Sequence, residues 1–208
     1  MKSSSSARPR AVIFDLGKVL VDFDYSLAAR RIAAQGTLPA DAVQRFIDHS
    51  PLLFRFETGQ ITREEFFAEV KSATGFSGSF GQFSEFFADI FTPIEPMVEL
   101  HARLRAAAVP TFIFSNTNEL AIGHIRKNFP FFSLFDGYIL SYEHGAMKPQ
   151  ASLYEVVEYK TGCQGGELFY IDDRPENLKT AADRGWQVVL QKDPGATHRA
   201  MKAAGLLA

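Results

Sequence analysis

Five short apolar runs constrain this chain more than any other feature. AVIFDL (11–16), TFIFS (111–115), GYILS (137–141), LFYID (168–172) and QVVLQ (187–191) are β-branched or aromatic in character and bounded by Gly, Pro or polar residues, which is how strands read. Around the last four lie PMVELHARLRAAA, LAIGHIRKNF, SLYEVVEYKTG and ENLKTAADRG, whose apolar positions recur at helical spacing. Strand and helix therefore alternate from about residue 94 onward, which argues a parallel sheet covered on both faces by right-handed crossovers. Ligands in such sheets sit beyond the carboxyl ends of the strands.

Residues 24–92 interrupt that rhythm. The stretch is helical by pattern and holds 11 of the 20 Phe, from Phe46 to Phe91. Thr62 followed by Glu65 predicts a capping box at the start of one helix, and GFSGSFGQFSEFF supplies a Gly/Ser-rich turn before another. So many phenylalanines form a compact helical core. Inserted between the first strand and the rest of the sheet, that core also sits above the strand ends as a lid.

With 208 residues the chain can bury one good core and a small second lobe. A net charge of -2 leaves no basic excess to hold a nucleic-acid backbone. No run approaches the roughly 18 apolar residues of a membrane span, and MKSSSSARPR reads as a mobile tail with no hydrophobic region of a secretion signal. Cys163 is the single cysteine, so no internal disulfide forms, which fits a reducing cytoplasm. His49, His101, His124, His144 and His198 are scattered singly and read as surface or hydrogen-bonded histidines.

Four of the strands lead to groups that carry chemistry. The first ends in Asp15 and the second in Ser115-Asn116-Thr117; the third leads through SYEHGAMKP to Lys148, and the fourth ends in Asp172-Asp173. Each alone has a structural use as a helix cap, a turn or the close of a loop. In this order, on strands whose carboxyl ends converge, they supply what phosphoryl transfer requires: a carboxylate nucleophile, a hydroxyl donor, a fixed cation and further acids for a metal.

The ordered set FDLGKVLVD, FSNTN, MKPQASLY and YIDDRPENL resembles the haloacid dehalogenase superfamily, in its phosphatase branch with a small helical cap after the first strand. The resemblance implies an α/β fold, a Rossmann-like parallel sheet sandwiched by helices, with 1–23 and 93–208 as the core and 24–92 as an inserted helical cap. It implies an Mg²⁺-dependent hydrolase of a small phosphate ester, a sugar phosphate by preference, acting through an aspartyl-phosphate. In that scheme Asp15 attacks phosphorus, Ser115 with Asn116 and nearby backbone N–H groups holds the phosphoryl oxygens, and Lys148 spans nucleophile and phosphate. The metal falls to Asp15, the carbonyl of Gly17, Asp173 directly and Asp172 through water, with Asn177 orienting the acids.

Gly17 departs from the family's usual pattern, in which a second Asp two residues after the nucleophile transfers protons. Glycine keeps the carbonyl and loses the acid, a group typically worth about 10² to 10⁴ in rate. The residues therefore predict a preference for good leaving groups, such as aryl or anomeric phosphates; a positive φ at Gly17 is the separate reason for which its turn would refuse an aspartate. Two other function classes are compatible with the sequence: a 2-haloacid dehalogenase, against which the metal-type pair Asp172-Asp173 argues, and a non-catalytic protein that binds a phosphorylated ligand. Substrate selectivity is expected in FRFETGQ (54–60), with Arg55 and Glu57 meeting hydroxyls or charge, and Arg174 reads as a substrate contact or a solvated charge.

Overall fold

The computed structural model describes residues 8–48 and 50–208. The tail as far as residue 7 and His49 lie outside the described residues. Arg10, read from sequence as the end of that tail, is anchored instead: its N–H donates to the carbonyl of Glu167 at 2.7 Å and its guanidinium to the Glu167 carboxylate at 2.9 Å.

The chain begins with β1 (Ala11–Phe14), turns into β2 (Val21–Phe23), and runs through five helices, α1 (Tyr25–Ala33), α2 (Ala40–Ile47), α3 (Pro51–Glu57), α4 (Arg63–Thr74) and α5 (Phe80–Ala88), to β3 (Phe91–Pro93). Strict alternation follows with α6 (Glu95–Ala106), β4 (Thr111–Ser115), α7 (Glu119–Asn128) and β5 (Gly137–Leu140). The short α8 (Ser141–His144), then α9 (Ala151–Thr161), β6 (Leu168–Asp172), α10 (Pro175–Asp183), β7 (Gln187–Leu190) and α11 (Pro194–Ala203) complete it.

Five strands form one parallel sheet in the order β5-β4-β1-β6-β7. All four residues of β1 are buried, because helices cover both faces of the sheet. Its alternate side chains feed two different cores. Val12 and Phe14 pack with Leu100, Leu104 and Ile125 on one face, while Ala11 and Ile13 pack with Leu153, Tyr154 and Val157 on the other. The connections leave β1 toward β4 on one side and β6 on the other, so a crevice opens at the carboxyl end of β1.

β2 and β3 pair antiparallel, Val21 with Pro93 and Phe23 with Phe91, and this ribbon carries the chain into the helical insert and back. The insert has its own core, where the rings of Phe56 and Phe66 stack at 4.5 Å and those of Phe83 and Phe87 at 5.7 Å. Thr62 and Glu65 form the reciprocal capping box of α4. Ser79 and Gln82 form a second box at α5, where the Gly/Ser-rich turn of GFSGSFGQFSEFF gives way to the helix expected after it. Burying one such ring contributes roughly 1.5 to 3 kcal/mol, which allows a five-helix lobe to hold together beside the sheet.

Candidate active site

Strand geometry brings the polar ends together. Asp15 follows β1 directly; its N–H is still held by the carbonyl of Ile171 at 2.9 Å, while its carboxylate accepts from Leu16 N–H at 2.7 Å. The Nζ of Lys148 lies 3.0 Å from that carboxylate. The same ammonium donates to Asp172 at 2.7 Å, to the carbonyl of Phe114 at 2.9 Å and to the hydroxyl of Tyr170 at 3.2 Å.

Asp172 is saturated. Besides Lys148 it accepts from the Tyr170 hydroxyl, from Arg174 N–H at 2.8 Å, and from the side-chain amide of Asn177, which is 3.1 Å from both oxygens. Burial would raise the pKa of Asp172, but Lys148, Tyr170 and the Arg174 N–H outweigh it and hold the group below the ordinary value. Burial would likewise pull the Lys148 ammonium down; the carboxylates of Asp15 and Asp172 win, and its pKa rises. Asp173, half-buried, is pushed up by burial and by its neighbour Asp172. Asp15 is pushed up to about 8, first by burial and then by Asp172 and Asp173, against the pull of Lys148.

Asp15, Asp172 and Asp173 each offer an oxygen within 4.8 Å of the others'. Three carboxylates facing one another, with Lys148 as the buried cation between them, make a site short of positive charge. An all-oxygen donor set of this kind suits a hard divalent cation such as Mg²⁺, which takes a few carboxylates and keeps several waters.

Ser115 ends β4 next to β1 and is 2% exposed, its hydroxyl turned to the carbonyl of Asn116 at 3.3 Å. The side chain of Asn116 is engaged elsewhere: it accepts from Lys148 N–H at 2.7 Å and donates to Lys148 C=O at 3.0 Å, fixing the backbone that carries the lysine. Asn118, the last residue of FSNTN, caps α7 by accepting from Ala121 N–H at 3.0 Å.

The site opens into a cleft of about 460 Å³ lined by Asp15, Lys148 and Asp173 from the sheet side and by Tyr25, Gln44 and Asp48 from the helical insert. Adjoining it is a tighter cavity of about 170 Å³ reached by Gly17, Ser115 and Asn116 below and Tyr25, Leu53 and Glu57 above. The helical insert thus roofs the strand ends. Glu57 faces this space; burial first, then Asp48, raise its carboxyl to about 7, with Arg174 opposing.

Arg55 is not brought to the cleft. Its guanidinium pairs with both oxygens of Glu69 on α4, at 3.0 and 3.2 Å. Arg174 lines both cavities, and its Nε donates to Glu176 at 2.8 Å. The left-handed residue of the turn after Asp15 is Lys18, with φ 57°, and Gly17 is not among the positive-φ glycines. What Gly17 provides is room, since a Cβ there would meet Cε1 of Phe23 at 2.8 Å. Tyr170, Tyr25 and Asp48 escaped the sequence reading; only Tyr170 left a signal, sitting two residues before Asp172 and so on the same face of its strand.

Residues 9–185 match the haloacid dehalogenase-like hydrolase family. Among characterised relatives, the sesquiterpene phosphatase astK of Aspergillus oryzae is 25% identical over 176 residues, covering 83% of this chain and 84% of its own. The D-ribitol-5-phosphate phosphatase of Bacteroides thetaiotaomicron is 20% identical over 194 residues, covering 90% and 94%. Acyl-CoA dehydrogenase family member 10 of Mus musculus is 26% identical over 210 residues, which is 93% of this chain but only 19% of that protein, so the chain spans about a fifth of that relative's length. In structure, a haloacid dehalogenase family enzyme of Bacteroides thetaiotaomicron, crystallised with magnesium and inorganic phosphate, superimposes with a TM-score of 0.77 at 24% identity, covering 88% of this chain and 94% of its own.

Proposed function

The chain belongs to the haloacid dehalogenase-like hydrolases, and from that premise we propose that it is an Mg²⁺-dependent phosphatase of small phosphorylated metabolites, sugar phosphates foremost. The observation that carries the reading is the convergence of Asp15, Lys148, Asp172 and Asp173 at the carboxyl ends of adjacent strands. An ordinary dehalogenase, attacking carbon, has no use for three mutually repelling carboxylates. The phosphatase names of two relatives agree with the preference.

In this reading Asp15 attacks phosphorus, and an aspartyl-phosphate forms and is hydrolysed. Lys148 holds the nucleophile in line and meets the phosphoryl oxygens, aided by the Ser115 hydroxyl and the main chain around Asn116. Asn177, Tyr170 and the Arg174 N–H fix Asp172, so the acids keep their geometry as charge develops. Asp15, the Gly17 carbonyl and Asp173 would hold Mg²⁺ directly and Asp172 through water, and the ion would supply the charge neutralisation that lets a carboxylate approach a phosphate dianion. Residues 24–92 act as the cap, hinged at the β2–β3 ribbon and excluding water from the site, while 1–23 and 93–208 form the catalytic core. The net charge of -2 favours a small ester over a nucleic acid, and a single buried cysteine, Cys163, suits the cytoplasm. No described helix is long and apolar enough to cross a membrane.

Phosphate release from a panel of metabolite esters, with Mg²⁺ and with EDTA, tests the proposal. Release that needs Mg²⁺ supports it. Halide release from a 2-haloacid without metal overturns it in favour of a dehalogenase, and tight binding of phosphate esters with no product overturns it in favour of a binding protein.

A further inference from the structure

Catalysis at phosphorus leaves one requirement unmet by the core. The alcohol that departs from phosphorus needs a proton, and Gly17 has no side chain to give it. Nor does one fit without movement, because a Cβ there would lie 2.8 Å from Cε1 of Phe23 and that ring would have to shift.

In-line attack fixes where the donor must be. The ester oxygen leaves on the side of phosphorus opposite Asp15, away from the sheet and toward the roof formed by the helical insert. The cavity on that side is reached by Gly17, Ser115 and Asn116 from the core and by Glu57 from the last residue of α3. Among the described residues, the carboxyl of Glu57 has no hydrogen-bond or ion-pair partner. The groups facing it are Tyr25 at the start of α1, Asp48 at the end of α2 and Arg174 in the turn before α10. Asp48 disfavours its ionisation, as burial does, and Arg174 stands ready for the carboxylate once formed.

We propose that Glu57, carried by the cap, is the acid and base that the core lacks at Gly17. The proposal rests on the phosphatase reading above. As the bond from Asp15 to phosphorus forms, the bond from phosphorus to the ester oxygen breaks. Its electron pair passes to that oxygen, which takes the proton of the Glu57 carboxyl and leaves as the alcohol. The Glu57 carboxylate then accepts a proton from water as the water oxygen bonds to phosphorus. The bond from phosphorus to Asp15 breaks, its pair returning to the Asp15 carboxylate, and inorganic phosphate is released with both side chains restored. Glu57 is poised for this by a carboxyl that still carries its proton near neutral pH, which matches a proton donor's pKa to its working pH. The preference for good leaving groups expected from Gly17 alone is accordingly relieved.

The experiment compares the parent with Glu57→Gln on p-nitrophenyl phosphate and on an alkyl phosphate of similar size. Expected in the variant is a loss of about 10²-fold or more in kcat/KM for the alkyl ester, with less than about tenfold loss for the aryl ester, whose phenolate leaves unaided. The parent's alkyl kcat/KM should fall as pH rises through about 7, and the variant should lack that fall. Glutamine is isosteric, and thermal melting confirms folding. A Glu57→Gln variant with an unchanged alkyl-to-aryl ratio overturns the proposal, as does one in which KM rises equally for both esters while the pH profile stays. If the parent releases phosphate from neither ester with Mg²⁺, the phosphatase reading itself fails, a result distinct from either.

Discussion

The Nζ of Lys148 donates to Oδ2 of Asp172 across 2.7 Å, and the two side chains are 1% and 0% exposed. An ion pair so far from water survives because every remaining lone pair and proton is matched: Phe114 C=O, Tyr170 and Asp15 complete the lysine, while Asn177 and Arg174 N–H complete the aspartate. Removing one member strands the others. Lys148→Met should abolish turnover and lower stability by about 3 to 5 kcal/mol, the usual consequence of leaving a buried charge uncompensated. Urea denaturation of parent and variant at pH 7 checks it; a loss under about 1 kcal/mol would mean that water or a cation reaches Asp172 more freely than its burial indicates.

Asp15→Asn should keep the fold, since the amide preserves shape and relieves the repulsion from Asp172 and Asp173, and should lose all turnover. In the parent, trifluoroberyllate with Mg²⁺ should form a stable adduct, visible by fluorine NMR and absent from the variant. Undiminished hydrolysis by Asp15→Asn would remove the covalent mechanism.

The paired acids should separate stability from metal binding. Asp172 is held by four groups and is fully buried, whereas Asp173 is half-buried and freer. Asp173→Asn should therefore raise the Mg²⁺ concentration needed for half-maximal activity at least tenfold with little change in melting temperature. Asp172→Asn should lower the melting temperature clearly, because Lys148 loses the nearer of its two carboxylate partners. EDTA should silence the parent. The reverse ranking of the two variants in a magnesium titration would reassign the direct ligand.

What the sequence disclosed follows from what has a period. β4 and β6 lie where the apolar runs place them, and β1, β5 and β7 each end one or two residues early. The β2–β3 ribbon was illegible because three residues per strand show no alternation. FRFETGQ offered both Arg55 and Glu57 to the cleft, yet the segment is helical at both positions, and residues two apart on a helix point to opposite sides. Only Glu57 faces the cavity, and Arg55 is taken by Glu69. Asn116 was read as a phosphate contact from its place beside Ser115; its grip on Lys148 crosses 32 positions, a relationship no local pattern encodes.

Glu57 also makes a prediction about stability. Its carboxyl has an ordinary value of 4.5 and is raised to about 7 in the folded chain. Between those values the native state holds a proton the unfolded chain has released, so this group's stabilisation is complete below about pH 4.5 and disappears as pH climbs through about 7. Glu57→Gln cannot ionise and should escape that loss. The difference in unfolding free energy between variant and parent should grow by on the order of 2 kcal/mol from pH 4.5 to 7.5, the water-reached part of the carboxyl keeping it below the full linkage value. Chemical denaturation across that range measures it, and parallel curves would show that Asp48 and burial do not burden Glu57.

Restoring an aspartate at position 17 closes the argument about proton transfer. Gly17 needs no left-handed backbone, so the obstacle to Gly17→Asp is the Phe23 ring, 2.8 Å from the new Cβ and itself in contact with the rings of Tyr25 and Phe91 at 5.6 and 6.0 Å. Alone, the substitution must displace that ring, at a cost typical of overpacking, about 1 to 3 kcal/mol. With Phe23→Leu the space opens. In a Glu57→Gln background, Gly17→Asp with Phe23→Leu should raise alkyl phosphate hydrolysis at least tenfold over Phe23→Leu without the aspartate, and should raise aryl phosphate hydrolysis little. The aryl control isolates the acid, since a general improvement in binding would lift both esters together. A folded triple variant that recovers nothing on the alkyl ester would show that position 17 does not reach the leaving oxygen in this chain, and that the departing alcohol lies nearer the cap than the strand end.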